Sequence, residues 1–277
     1  MHTTEPVVLD HDPAALDVLW HALDPEPHES PVIIRAVMIA SVDGTTTVDG
    51  HSGGLGTPTD RLVYDAMRAR ADIVLVGSGT ALAEGYGPAR ISEVWASRRD
   101  SPAPPVLILS RSVSNRLIEH CAAAGDGVQI AAAPQTPSHQ LDKARAAGVT
   151  VHVMQDGLFA KSLRVLLTGL GAREVTFEGG PTLLAEFLSQ GLVDELVLSV
   201  APDFIVGGTG LGLTHGEVNE IPEKRISVRV AAAFSCPLGG LYTRWVVRNG
   251  TPVNDPGHIG AVTPEAHDIR SEEVETN

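Results

Sequence analysis

Short runs of aliphatic and β-branched residues alternate with amphipathic segments of ten to twelve residues through most of the chain. Strands separated by helices of this length indicate βαβ units and a largely parallel sheet. Near the end, two extended segments at 225–234 and 241–247 follow one another around Pro237 and Gly239, which predicts an antiparallel hairpin. The predicted fold class is therefore α/β, with a mostly parallel central sheet flanked by helices and a C-terminal antiparallel hairpin. The elements assigned in this way are strands at 32–42, 72–76, 106–109, 128–133, 149–153, 173–177 and 194–201, and helices at 58–69, 115–124, 138–147, 159–170 and 181–190.

Composition divides the chain into three predicted parts. Residues 1–30 form an acidic N-terminal arm, in which Asp12 and Pro13 begin a short amphipathic helix. Residues 31–248 form a single domain. Residues 249–277 are polar and rich in Pro and Gly, and we expect them to be a mostly disordered tail.

The net charge of −14 is concentrated at the two ends, with −7 in residues 1–30 and −4 in residues 263–277. An acidic surface disfavours nucleic acid, whereas the nearly balanced body has room for a basic pocket that takes an anionic small molecule. No apolar run approaches the roughly 18 residues of a membrane-spanning helix, so we expect no membrane partner. Cys121 and Cys236 are the only cysteines, and the eleven histidines are scattered, which predicts a cytoplasmic protein with no metal site.

The stretch from Val175 to Thr182 reads as a buried strand, a turn of two glycines and a helix that Pro181 begins. A glycine turn that leads into a helix N-terminus presents free N–H groups and a positive dipole end, which favours phosphate. Glu178 lies at the C-terminal end of the strand, where open α/β sheets bind their ligands. An ordinary strand–helix junction is the alternative.

Two further glycine-rich segments, at 77–80 and 207–212, also follow predicted strands. None of the three is specific alone, but together they suit a ligand with several phosphates. Arg111, beside Ser110 after another strand, suits a ribose 2′-phosphate, or else is a solvated loop residue.

Gly50–Gly54 matches the G-x-S-x-G pattern of hydrolases, but the helix that should follow the serine at once begins only at Pro58, which argues against a hydrolase.

The order of these motifs is similar to that of a known family. Along residues 30–248 the chain resembles the reductase domain of bacterial riboflavin-biosynthesis deaminase–reductases, in a stand-alone form without the deaminase half. The motifs that carry the resemblance are Ser-Val-Asp-Gly at 41–44, Asp-Ile-Val-Leu-Val-Gly-Ser-Gly-Thr at 72–80, Glu-Gly-Gly-Pro-Thr at 178–182, Gly-Leu-Val-Asp-Glu at 191–195 and Ala-Pro at 201–202. The resemblance implies a dihydrofolate-reductase-like fold, a homodimer, NADPH as cofactor, and a ribosylaminopyrimidine phosphate as the small-molecule substrate whose ribose is reduced.

The motifs and the resemblance together define candidate site residues. Glu178 is the first candidate for the catalytic carboxyl group and Asp43 the second. The resemblance assigns substrate contacts to Ser52, Arg68 and Arg90, and also to Glu178. The candidate cofactor-binding residues are Gly77, Gly79, Thr80, Ser110, Arg111, Gly179, Gly180, Pro181, Thr182 and Leu183.

Three departures from the family pattern lie on the substrate side. Thr45 stands where the family has Lys or Arg, Gly54 stands where it has an aromatic residue, and Glu84–Pro88 replaces an acidic Asn/Asp-Pro turn. Within the reductases, the substrate is therefore open between a riboflavin intermediate and a dihydrofolate or pterin compound. A non-catalytic nucleotide-binding protein is an alternative of another class.

Overall fold

A computed structural model describes residues 7–8, 12–207, 212–214 and 221–248. The described strands form one sheet in the order β1-β9-β10-β8-β2-β7-β3-β4-β5-β6. From β8 to β6 neighbouring strands are parallel, whereas β10 pairs antiparallel with both β8 and β9. The strands are β1 Val7–Val8, β2 Ile33–Ser41, β3 Ile73–Gly77, β4 Val106–Ser110, β5 Val128–Ala132, β6 Val151–Val153, β7 Glu174–Phe177, β8 Glu195–Ala201, β9 Ser227–Ser235 and β10 Leu241–Arg248.

Helices cover both faces of the sheet, as a parallel sheet requires. On one face α7 and α8 contribute Leu163, Leu167, Leu184 and Phe187, and the rings of Phe177 and Phe187 stack with centroids 4.4 Å apart. The other face is covered by α1 and α2 at one end and by α5 and α6 at the other. The helices are α1 Pro13–Ala22, α2 Pro58–Arg70, α3 Ser78–Ala83, α4 Glu93–Ala96, α5 Asn115–Ala124, α6 Ser138–Ala146, α7 Phe159–Gly169 and α8 Pro181–Ser189, and a 3-10 turn spans Ser52–Leu55.

The predicted fold class is confirmed, with a mostly parallel sheet, flanking helices and a C-terminal antiparallel pair. Two short helices differ from the prediction. Helix α3 begins directly after β3, at Ser78, and contains Gly79 in its first turn. Helix α4 lies in the segment 84–103, to which the sequence patterns assign no strand or helix. Trp95 in this helix is fully buried and donates a hydrogen bond to the Leu62 carbonyl at 3.0 Å.

The N-terminal helix α1 packs against the body of the protein. The Asp12 side chain accepts hydrogen bonds from the amides of Ala14 and Ala15, as an N-cap does. Leu19 is buried, and Trp20 stacks on Trp95 with ring centroids 5.6 Å apart. The predicted division at residues 30 and 248 stays a prediction, and the expected disordered tail at 249–277 and residues 208–211 lie outside the described residues.

Within the described ranges, no helix has the length and apolar character needed to cross a bilayer. The same part of the chain holds no group of three or more His, Cys, Asp or Glu side chains placed to bind a metal ion. Cys121 and Cys236 are both buried as free thiols.

Candidate active site

The candidate site lies at the carboxyl edge of the parallel strands. Strand β7 lies between β2 and β3, although β2 and β3 are consecutive strands in the chain, separated by the 3-10 turn and α2. The strand order therefore reverses at β7, which is where open α/β sheets bind ligands. The sequence places Glu178 and the two glycines immediately after this strand.

The glycine turn after β7 can be formed only by glycines. Gly179 and Gly180 have φ values of 90° and 81°. A Cβ atom on Gly179 would lie 2.9 Å from the Met38 Sδ, and one on Gly180 would lie 2.6 Å from the Thr80 Oγ1. Helix α8 then starts at Pro181, so the amides of its first turn have no acceptor within the helix.

The larger of two cavities at this edge has a volume of about 740 Å³, and the free end of α8 forms part of its wall. All ten candidate cofactor-binding residues line it: Gly77, Gly79, Thr80, Ser110, Arg111, Gly179, Gly180, Pro181, Thr182 and Leu183. The Arg111 guanidinium donates to the Glu186 carboxylate at 2.7 Å and remains mostly exposed. The structure therefore brings the three sequence segments of this prediction to one cavity, while their role in binding stays a prediction.

A smaller cavity of about 580 Å³ adjoins the larger one. Gly79, Thr80, Gly180 and Pro181 line both cavities and so form a shared wall. Ser52, Arg68 and Glu178, three of the four candidate substrate-binding residues, line the smaller cavity.

The Glu178 carboxylate is held in one orientation by two residues of α2. Arg68 donates to both of its oxygens, at 2.6 and 2.7 Å, and the Tyr64 hydroxyl donates to Oε2 at 2.6 Å. The side chains of Glu178 and Arg68 are 1% and 12% exposed. A carboxylate has about four lone-pair positions, of which these bonds fill three, and the Tyr86 hydroxyl is a further hydrogen-bond partner of Glu178.

Burial and the charge of Glu178 shift the pKa values around this pair. The pKa of Tyr64 is raised by burial first and then by the neighbouring Glu178 carboxylate. Tyr86, which also lines the cavity, has its pKa raised by the same two causes. Burial opposes the charge on Arg68, but the hydrogen bonds and charge of Glu178 outweigh it and raise the Arg68 pKa. Arg68 therefore stays a cation, and both tyrosines stay neutral hydroxyl groups.

The hydrogen-bond donors of Ser52 are already bonded to a carboxylate of the chain itself, that of Glu84. The Ser52 amide and hydroxyl both point to the Glu84 Oε1, at 3.0 and 3.3 Å. The His51 Nδ1 lies 3.6 Å from the other oxygen of Glu84. Both Ser52 and Glu84 line the smaller cavity.

Two predicted residues lie apart from the cavities. Arg90 is exposed and lines neither of them. Asp43 also lines neither, since its carboxylate accepts hydrogen bonds from the Ile205 amide and from the hydroxyls of Ser41 and Thr45. These bonds, that of Ile205 first, lower the Asp43 pKa to about 2. The structure thus gives Asp43 a loop-fixing contact, and its role as the second candidate for the catalytic carboxyl group stays a prediction.

Sequence reasoning missed Tyr64, Tyr86 and Glu84. Tyr64 lies one helical turn before Arg68, so its spacing of four residues on α2 was a signal that could have been used. Glu84 and Tyr86 belong to the segment noted only as a departure from the family pattern, and nothing local shows that they face Ser52 or Glu178.

The comparisons with known proteins agree with this architecture. A 2,5-diamino-6-ribosylamino-4(3H)-pyrimidinone 5′-phosphate reductase from Methanothermobacter thermautotrophicus is 29% identical over 214 residues, covering 75% of this chain and 93% of that protein. The riboflavin biosynthesis protein RibD of Mycobacterium tuberculosis is 30% identical over 169 residues, covering 61% of this chain and 41% of that protein.

Among solved structures, a pyrimidine reductase-like protein from Corynebacterium diphtheriae matches with a TM-score of 0.71 at 23% identity, covering 84% of this chain and 98% of that one. This match supports the fold. The model of the RibD C-terminal domain family matches residues 32–231, which run from the start of β2 into β9 and include every segment of the candidate site. The resemblance inferred from the order of the motifs is therefore confirmed, and the chain belongs to the RibD C-terminal domain family.

Proposed function

We propose that this chain is an NADPH-dependent reductase that acts on a ribosylaminopyrimidine phosphate of riboflavin biosynthesis. Family membership and the names of the relatives support reduction of a pyrimidine-type small molecule. The observation that carries the proposal is the shared wall of Gly79, Thr80, Gly180 and Pro181. A dinucleotide in the larger cavity and a small heterocycle in the smaller one would meet there.

The residues of the larger cavity fit a phosphorylated dinucleotide. Its volume lies within the range of about 300–1,000 Å³ that is usual for ligand sites. The amides of Thr182 and Leu183, in the first turn of α8, would hold the pyrophosphate, and the missing side chains of Gly179 and Gly180 let the backbone come close. Met154 and Phe159 supply an apolar wall for the adenine ring.

Arg111 is the residue proposed to select NADPH over NADH. Its exposed guanidinium lies at the cavity wall, and its fork of donors suits the 2′-phosphate. In the present structure the guanidinium contacts Glu186, so binding of the phosphate would exchange one anionic partner for another.

In the smaller cavity Glu178 would orient the substrate. When bound, NADPH would supply the hydride to the acceptor carbon across the shared wall. Arg68 and Tyr64 fix the Glu178 carboxylate, which would accept a hydrogen bond from an N–H or O–H group of the substrate. Orientation of this kind contributes to catalysis by bringing the reacting atoms together. The contacts made by Ser52 and Arg90 with the substrate also remain proposals.

Oxidation of NADPH, followed at 340 nm with the ribosylaminopyrimidine phosphate, tests the proposal. We expect Arg111→Met to raise the KM for NADPH at least about tenfold, because one charge-assisted contact is lost. The KM for NADH should change little. Arg116→Met is the matched control, since Arg116 is exposed nearby on α5 and does not line the cavity. Equal effects of the two substitutions on NADPH would contradict the assignment of Arg111.

A dihydrofolate or pterin reductase is the second candidate. It is favoured by Thr45, whose hydroxyl is bound to Asp43 at 2.9 Å and offers the substrate no positive charge. The same assay with dihydrofolate separates the two candidates. NADPH binding without turnover of either compound would instead indicate a non-catalytic nucleotide-binding protein. A homodimeric assembly and a cytoplasmic location, expected from the resemblance and the sequence, remain part of the proposal, and light scattering tests the former.

A further inference from the structure

The smaller cavity contains an oxyanion site that the chain fills with its own carboxylate. The amide and the hydroxyl of Ser52 converge on one oxygen of Glu84, at 3.0 and 3.3 Å. An N–H and an O–H donor aimed at one point are what a phosphate or carboxylate oxygen accepts. The Glu84 side chain is 25% exposed and borders the cavity, so this position is open to a ligand.

The charged side chains around this position do not favour an incoming anion. Three carboxylates line the smaller cavity, those of Asp60, Glu84 and Glu178, against the two arginines Arg61 and Arg68. Arg68 has two of its nitrogens on Glu178, and the Arg61 Nε lies 3.1 Å from Asp65. A phosphate that enters the cavity therefore meets more carboxyl groups than guanidinium groups, and the two donors of Ser52 are occupied.

Glu84 can leave the Ser52 donors without disturbing the fold. Its amide remains bonded to the Thr80 carbonyl at 2.9 Å, and the contacts with Ser52 and His51 are made only by the end of the side chain. Rotation of the side chain alone would free the amide and the hydroxyl of Ser52. The displaced carboxylate would stay nearby and repel a bound phosphate, a repulsion that is strong in a partly buried site.

We propose that Glu84 is a specificity-determining residue, whose carboxylate holds the oxyanion position at Ser52 and lowers the affinity of the site for a phosphorylated substrate. This inference rests on the proposed function in one respect, that the smaller cavity takes the reducible substrate. It adds that the phosphate of that substrate competes with the Glu84 carboxylate for the Ser52 donors. The preference of this chain for a phosphorylated over a dephosphorylated substrate is therefore smaller than it would be without Glu84.

The test compares the ribosylaminopyrimidine 5′-phosphate with its dephosphorylated form. In Glu84→Gln, which keeps the size of the side chain and removes its charge, we expect the ratio of kcat/KM for the phosphorylated to the dephosphorylated compound to rise at least tenfold, about 1.4 kcal/mol. Asp49→Asn is the matched control, because Asp49 is exposed in the loop that leads to Ser52, lines neither cavity and has a φ of 50° that Asn tolerates. We expect it to change the ratio less than twofold. An unchanged or lower ratio in Glu84→Gln, or an equal rise in Asp49→Asn, would overturn the inference.

Two further measurements keep the inference separate from the proposed reaction. In a Ser52→Ala background the effect of Glu84→Gln should be smaller than in the unmodified protein, because the hydroxyl is lost as a donor to both the carboxylate and the phosphate while the amide remains. Calorimetric titration with ribose 5-phosphate needs no turnover, and we expect Glu84→Gln to bind it at least tenfold more tightly than the unmodified protein. If the unmodified protein reduces neither substrate, the proposed function fails, whereas equal binding of ribose 5-phosphate by both proteins defeats the role of Glu84.

Discussion

The pair formed by Arg68 and Glu178 leads to the sharpest prediction about stability. Arg68→Met keeps most of the side-chain volume but leaves the Glu178 carboxylate, only 1% exposed, with the Tyr64 hydroxyl as its remaining donor among the three bonds described. Removing one partner of a buried ion pair costs about 3–5 kcal/mol. Since each kcal/mol shifts the Tm of a chain of this size by about 2–3 °C, we expect Tm to fall by about 10 °C.

Urea denaturation followed by far-UV circular dichroism measures this loss. Arg145→Met is the control, because Arg145 is 50% exposed and its pair with Asp142 spans 3.5 Å, so its removal should cost less than about 1 kcal/mol. The double substitution Arg68→Met with Glu178→Met should recover most of the stability, since no buried charge is then left unpaired. A cost of Arg68→Met no larger than that of Arg145→Met, or a double variant less stable than Arg68→Met alone, would show that no buried charge is left unpaired when Arg68 is removed.

Three further predictions follow from single contacts. Gly180→Ala places a Cβ 2.6 Å from the Thr80 Oγ1 at a φ of 81°, a strain of about 1–3 kcal/mol, and should raise the Kd for NADPH at least about tenfold by fluorescence titration. Gly87→Ala, where a Cβ meets nothing within 4 Å, is its control, and equal effects would contradict the role of the turn. The Asp43 carboxyl should titrate in ¹³C NMR near pH 2 rather than 3.8, because the Ile205 amide and two hydroxyls stabilise its charge. Its contribution to stability is present above the unfolded pKa and lost as the pH falls through about 2, and a midpoint near 3.8 would show that these bonds are absent. Burial raises the pKa of the Cys121 thiol to about 11, so it should resist a thiol reagent at pH 8 until urea unfolds the protein. Rapid labelling of Cys121 in the native protein would contradict its burial.

The fold class could be predicted because local residue patterns indicate the individual strands and helices. The central strands are almost wholly apolar, and the helices between them carry apolar residues at helical spacing, so their existence and type could be inferred segment by segment. The strand order was not accessible in this way. Strand β7 enters between β2 and β3 through contacts such as Ile34 with Val175, which no local pattern specifies.

The same distinction separates the two halves of the candidate site. The cofactor side consists of glycines and a helix start, whose backbone requirements are visible in the sequence, and all ten of its candidate residues line one cavity. The substrate side depends on pairs between distant residues. Arg68 meets Glu178 across 110 positions and Ser52 meets Glu84 across 32, so the sequence could indicate some of these residues but not which would be partners.

The position of β2 in the sheet has a consequence for the biosynthesis of this chain. Its partners are β7 and β8, so Ile33 can pair with Glu174 only after roughly 140 further residues have been synthesised. At about 5–20 residues per second, the ribosome takes about 7–28 s to make that intervening segment. During this time the apolar strand Ile33–Ser41 has no neighbour to pair with, while β3 to β6 can assemble in the order in which they emerge. The nascent chain thus depends on protection of its first long strand from aggregation, and a chain stopped before Ala201 lacks the full set of strands that β2 needs.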